Sequence, residues 1–105
     1  MVKICKNNNF NNILVSVSLL DSKSLSIETM LDLAYLDLEI LSDNAFENIT
    51  MIEYLKLSWN RIEYLNRNIF SKIKNLFKLE IDKNRLNSNL FDLNLNNHLI
   101  YLELD

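Results

Sequence analysis

Cys5 and His98 are the only thiol and the only imidazole among the 105 residues. Nucleophilic catalysis would need a thiolate and a base within hydrogen-bonding reach, and a zinc site would need three or four such ligands. The two residues stand at opposite ends of the chain, so a Cys5–His98 dyad exists on paper only. No zinc site of nitrogen and sulfur ligands and no intrachain disulfide can be assembled. Chemistry that depends on glycine is excluded outright, because the chain contains no Gly and no Pro. A phosphate loop, a dinucleotide fingerprint, a nucleophile elbow and an EF-hand loop each require a residue without Cβ where backbone meets ligand or turns sharply. One modification motif is present, the N-glycosylation sequon Asn48-Ile49-Thr50. With 17 Asn and 11 Ser plus Thr in the chain, roughly two such triplets arise by chance, so the motif alone says little about compartment.

The elements that must position these residues are bounded by composition. At 49% hydrophobic and 24% charged residues, the chain is globular rather than disordered, and its length sets one domain as the ceiling. The net charge of −3 comes from both signs spread along the chain, which gives no basic patch for a phosphate backbone, so nucleic acid is not an expected partner. No apolar run reaches the 18 or so residues of a membrane span. Lys3 and Lys6 ahead of Ile13 to Leu20 imitate a short signal-peptide core. The asparagines between residues 7 and 12, the interruptions at Ser16 and Ser18 and the lack of a small-residue cleavage box argue against it. Without glycine, turns fall to asparagine, whose short amide tolerates the left-handed region. An A/T-rich gene would also give an Asn-, Lys- and Ile-rich chain poor in Gly and Pro.

Written in rows of 24, one pattern recurs. Residues 52–75 place Leu55, Leu57, Asn60, Ile62, Leu65, Phe70, Ile73 and then Leu76 as L-x-L-x-x-N-x-I-x-x-L-x-x-x-x-F-x-x-I-x-x-L. One row on stand Leu79, Ile81, Asn84 and Leu86. One row back stand Leu31, Leu33, Leu38, Leu41, Phe46, Ile49 and Ile52, with Leu36 in the Asn slot. Two rows back, Asn12, Leu14, Val17 and Leu25 fit, but Asn7 and Asn9 replace the strand leucines. After Leu86 the register slips by one, so that Leu99, Leu102 and Leu104 follow Leu76, Leu79 and Ile81. A leucine zipper fails on period, since a seam from Leu31 would run through Ala45, Trp59 and Asn66.

These rows resemble the leucine-rich repeat family, and their form is similar to the 24-residue repeats of extracellular animal proteins such as Toll-like receptors. The resemblance is strong over residues 28–86. It implies an α/β fold, a leucine-rich repeat solenoid with a short-stranded parallel sheet on its concave face. One domain over 1–105 is expected, with a degenerate row at 7–27, rows at 28–51, 52–75 and 76–98, and a truncated row at 99–105. Cysteine-bearing caps are missing, so the chain looks like a segment of a longer solenoid whose open edges invite self-association.

The physics of a row is independent of the family. In Leu55-x-Leu57 both leucines point to one side of a short strand, while Lys56 and Ser58 point to the other. A single row cannot bury its leucines; stacked rows close a continuous core. Asn60 and Asn84 follow the strand where the chain turns inward, and buried amides there would satisfy loop backbone groups as a ladder. Leu36 lacks that amide, which makes its row a weak rung.

In this family partners commonly meet the concave face, so the outward columns are the candidate site. They run Met30, Tyr54, Lys78 and Tyr101; Asp32, Lys56, Glu80 and Glu103; Ala34, Ser58, Asp82 and Asp105; and Tyr35, Trp59 and Lys83. Tyr35, Tyr54, Trp59 and Tyr101 are the expected contacts, since Tyr and Trp are enriched at binding hot spots. Asp32, Glu80, Asp82 and Glu103, with Lys56 among them, favour a protein or peptide partner with a basic surface. Carboxylates on an open sheet have nothing to exclude water, so no enzyme, metal or cofactor is expected. The expected function is protein binding within a receptor-like or matrix-like protein at the cell surface or outside it, with Asn48 as its glycosylation site. The alternatives are a structural or decoy fragment that assembles through its edges, and a cytoplasmic adaptor with the same fold.

Overall fold

The computed structural model describes residues 2–6, 13–19, 30–86, 94 and 101–103, the last three as backbone alone. Four strands, β3 (Met30–Asp32), β5 (Tyr54–Lys56), β6 (Lys78–Glu80) and β7 (Tyr101–Glu103), form one parallel sheet in the order β3-β5-β6-β7. The L-x-L alternation makes the strands: Leu31, Leu55 and Leu79 point inward and are buried, and the residue on either side of each points away from the core. Register follows the sequence rows. Met30 lies opposite Tyr54, Tyr54 opposite Lys78, and Lys78 opposite Tyr101. Beyond the strands the ladder continues, with the Leu33 amide donating to the Lys56 carbonyl at 2.9 Å and the Leu57 amide to Glu80 at 2.7 Å.

The core runs through the rows as columns. Leu33, Leu57 and Ile81 form one; Leu38 and Ile62 the next; Phe46 and Phe70 another; Ile49 and Ile73 a fourth, all buried. The two phenylalanine rings stack with centroids 5.8 Å apart and planes 20° from parallel, an offset arrangement that adds to plain area burial.

The α/β expectation is corrected at this point, because the described residues contain no α-helix. The return half of the rows at 28–51 and 52–75 is a chain of tight turns. Ala45 N–H donates to the Ser42 carbonyl, Glu47 to Asn44, Ile49 to Phe46 and Ile52 to Ile49, and the same four bonds recur 24 residues later from Ile69, Ser71, Ile73 and Leu76. The apolar spacing explains the choice: Phe46, Ile49 and Ile52 sit three residues apart. An i to i+3 turn, with three residues per turn, brings all of them to one side. An α-helix at 3.6 residues per turn would rotate the third away from the core.

A second, smaller sheet covers one side of the first complete row. The antiparallel pair β1 (Val2–Lys6) and β2 (Ile13–Leu19) docks in parallel on the two-residue strand β4 (Ile40–Leu41), in the order β1-β2-β4. Leu14 and Val17 enter the core with no exposed surface. Leu14 faces Leu41 here, an offset of three residues beyond the row length. Asn12, Leu25, His98 and Asp105 lie outside the described residues, as do most of 7–27 and most of 87–100.

Candidate functional site

The turn after each strand decides what the sheet face presents. Asn60 is 6% exposed, and its amide is fully used. Oδ1 accepts from the Leu36 amide at 3.1 Å and the Leu38 amide at 2.9 Å, while Nδ2 donates to the carbonyls of Leu33 at 3.0 Å and Leu57 at 2.9 Å, with a longer bond to Ser58. Asn84 makes most of the same set one row on, accepting from Ile62 and donating to Leu57, Ile81 and Asp82, without the counterpart of the Leu36 bond. The row with Leu36 in this slot is built differently. Leu36 packs partly buried against the core, Asp37 as well as Tyr35 takes a positive φ of 60°, and Lys6 from β1 reaches the Leu36 carbonyl at 3.4 Å.

Just before the Asn slot, Tyr35, Trp59 and Lys83 all adopt the left-handed conformation, with φ of 60°, 59° and 58°. For non-glycine residues this costs about 1–3 kcal/mol each. The shared backbone geometry sends the three side chains out in one direction, and they stack. The Tyr35 and Trp59 rings lie 5.6 Å apart and 9° from parallel, and Lys83 Nζ sits 5.9 Å from the Trp59 ring centroid. Tyr35 keeps 71% of its surface exposed and Trp59 51%.

The columns beside this stack are cross-linked along the sheet. Tyr54 donates its hydroxyl proton to Glu80 Oε1, and Lys78 Nζ lies 4.5 Å from the Tyr54 ring centroid and 3.6 Å from Glu80. Ser58 donates its hydroxyl proton to Asp82 Oδ1. Asp32 turns its Oδ1 back to its own loop, accepting from the Ala34 amide at 3.0 Å. Lys56 has no side-chain bond or ion pair among the described residues. It lines a shallow depression of about 150 Å³ with Tyr35, Ser58, Trp59, Glu80 and Asp82. Among the described residues, Asp32, Glu80 and Asp82 are matched in number by Lys56, Lys78 and Lys83. Tyr101 and Glu103 are in register on β7, and their side chains lie outside the described residues.

Sequence reasoning missed the lysines as ring partners and a second concavity altogether. The latter holds about 280 Å³ between Ile40, Leu41, Arg61, Glu63, Tyr64 and Arg85. Its fixed point is Arg61. Asp37 meets Arg61 with both oxygens, Oδ2 in an aligned bond to Nη2 at 3.0 Å and Oδ1 2.6 Å from Nε but off the N–H axis; Glu39 lies 2.8 Å from Nη1. The signal was present in the rows, since Asp37, Arg61 and Arg85 are one column. Asn48 and Thr50 are exposed in the turns after β4, with Ile49 buried between them. Among the described residues no three His, Cys, Asp or Glu side chains gather to hold a metal ion, and no helix is long and apolar enough to cross a membrane.

Comparison with known proteins agrees with this architecture. The chain is similar to lumican of Gallus gallus, 39% identical over 51 residues, which is 47% of this chain and 15% of lumican. It thus spans only a small part of that relative's length. No solved structure matches it. The family model described as leucine rich repeat matches residues 29–86, the stretch that carries β3, β5, β6, both asparagine turns and the stacked phenylalanines, and the chain belongs to the leucine-rich repeat family.

Proposed function

We propose that this chain is a protein-binding module, a solenoid segment that offers the face of its parallel sheet to a protein or peptide partner. The observation that carries the reading is the solvent-facing aromatic set of Tyr35, Tyr54 and Trp59, held at fixed spacing by the sheet register and by left-handed turns. Rigid aromatic groups on a repeat scaffold supply contact area at little entropic cost. Asp32, Lys56, Glu80 and Asp82 form the polar surround, with Tyr101 and Glu103 extending it along β7. Binding is the reading this site supports, because among the described residues its carboxylates bond to the Tyr54 and Ser58 hydroxyls and to Lys78 on an open surface. The likeness of the rows to those of extracellular animal proteins supports placing it in a receptor-like or matrix-like protein outside the cell, with Asn48 glycosylated on an exposed turn.

The test is a binding screen of the immobilised chain against an array of secreted proteins and receptor ectodomains. Tyr54→Ala combined with Trp59→Ala is expected to weaken the partners found by at least about tenfold. Partners that bind the double variant as well as the wild type would remove this face from the reading.

Edge assembly is a second reading, favoured by one observation. Among the described residues β3 pairs on one side only, and Met30 on it is exposed; such an edge is a template for another strand. A dimer at micromolar concentration, dispersed by Met30→Lys, is the expected result in light scattering, and a monomer at that concentration would count against it.

A further inference from the structure

Tyr35 and Trp59 form one wall of the shallow depression on the sheet face, and the rest of its lining, apart from Ala34, is polar: Lys56, Ser58, Glu80 and Asp82 around about 150 Å³. The aromatic wall is set by the backbone, since both residues hold the left-handed conformation and their rings lie 9° from parallel. The polar wall is set by hydrogen bonds. Ser58, itself 5% exposed, donates to Oδ1 of Asp82, which fixes the carboxylate and leaves Oδ2 without a bond among the described residues. Glu80 is held by Tyr54 and Lys78. Flat aromatic carbon thus stands beside a fixed acceptor in Asp82 and a donor in Lys56. No enclosed apolar pocket is present here to take an aliphatic or aromatic anchor of the kind that dominates protein–protein contacts.

A pyranose ring with equatorial hydroxyls has the complementary shape and chemistry. Its flat face consists of C–H groups polarised by the neighbouring oxygens, which meet the negative face of an aromatic ring. Its rim consists of hydroxyls, each both donor and acceptor. A carboxylate accepting such a hydroxyl makes a charge-assisted bond, stronger than one between neutral groups. An axial hydroxyl would lift the sugar off the aromatic wall. Charge selects a neutral ring over a sulfated or carboxylated one, because the two strand columns that reach the depression gain acids towards β7: Glu103 stands opposite Glu80, and Asp105 follows Asp82 in the sequence rows. We propose that this depression is a subsite for a neutral sugar ring with equatorial hydroxyls, presented by a glycosylated partner. The ring stacks on the aromatic wall while Asp82 accepts from one hydroxyl and Lys56 donates to another. This rests on the reading of the face as a binding surface and names a group that the surface takes.

Trp59 is the only tryptophan in the chain, so its fluorescence reports on this site alone. The experiment titrates the intact chain with methyl β-glucoside, with the anionic methyl β-glucuronide, and with glycerol at matched hydroxyl concentration. The glucoside is expected to shift or quench Trp59 emission in a saturable manner, with the glucuronide weaker and glycerol without effect. Tyr35→Ala, at a side chain outside the core, and Asp82→Asn, which keeps an acceptor for Ser58, are each expected to raise the half-saturating concentration roughly threefold. An equal response to glycerol or to the glucuronide would overturn the assignment, as would half-saturation unchanged in both variants. No response to the glucoside, while the Tyr54 and Trp59 double variant still weakens protein partners, would overturn the sugar subsite and leave a face that grips polypeptide alone.

Discussion

Asn60→Ala is expected to lower the free energy of unfolding by about 3 kcal/mol, read as a shift in the denaturant midpoint at constant slope. The figure follows from what is left behind. Removing the amide orphans the Leu36 and Leu38 N–H groups and the Leu33 carbonyl, while the Leu57 carbonyl keeps its bond from Asn84, in a turn where the side chain itself is nearly excluded from water. Each buried group costs about 1–3 kcal/mol when unpaired, and relaxation recovers part of the sum. Asn84→Ala removes a similar set at a half-buried site, so its effect is expected to be smaller, about 1–2 kcal/mol. Asn60→Asp separates the two halves of the amide, because it keeps an acceptor for Leu36 and Leu38 but loses both donors. If Asn60→Ala unfolds at the wild-type midpoint, the amide is not holding the rows together.

Phe70→Ala carries the other large effect. Phe70 is 1% exposed and stacked on Phe46, so alanine there deletes a ring from a closed core and leaves a cavity that the turns on either side cannot fill. Large-to-small changes of this kind cost about 3–5 kcal/mol, and about 4 kcal/mol is expected. The double variant with Phe46→Ala should cost less than the two single changes together, because the second ring has already lost its neighbour. Strict additivity in that cycle would mean that the rings do not support each other across the rows.

Much of this fold was legible because translation by one row repeats side-chain direction. Leu31, Leu55 and Leu79 announced the strands, and the slip after Leu86 reappears as Lys78 facing Tyr101. What remained hidden depends on contacts that no row contains. The three-residue spacing of Phe46, Ile49 and Ile52 approximates a helical face over one step but not over two, and the need to point all three into a shared core selects successive tight turns. β2 carries Leu14 and Val17, which fit the rows two repeats back, but it pairs with β4 three residues beyond the row length and its other partner, β1, lies ahead of any row, so the repeat pattern did not point to this pair. At the candidate site the columns were readable, but the direction of Tyr35 and Trp59 was not, because it follows from a left-handed backbone at bulky residues, where propensity alone would not place it. Lys78 and Lys83 stood in the outward columns, and their places beside the Tyr54 and Trp59 rings depend on contacts between rows.

The asparagine turns have a direction. The amide of Asn60 bonds backward, to Leu33, Leu36 and Leu38 of the preceding row, and Asn84 reaches back to Leu57 and Ile62. A row's own turn is therefore finished by a residue encoded after it. On the ribosome, where the chain emerges from its amino end, the row containing Leu33 exposes unpaired backbone groups until Asn60 has left the exit tunnel, and the row containing Leu57 waits likewise for Asn84. Synthesis thus always leaves one row unsealed behind the growing point, and the last row made is the one whose seal depends on whatever follows it.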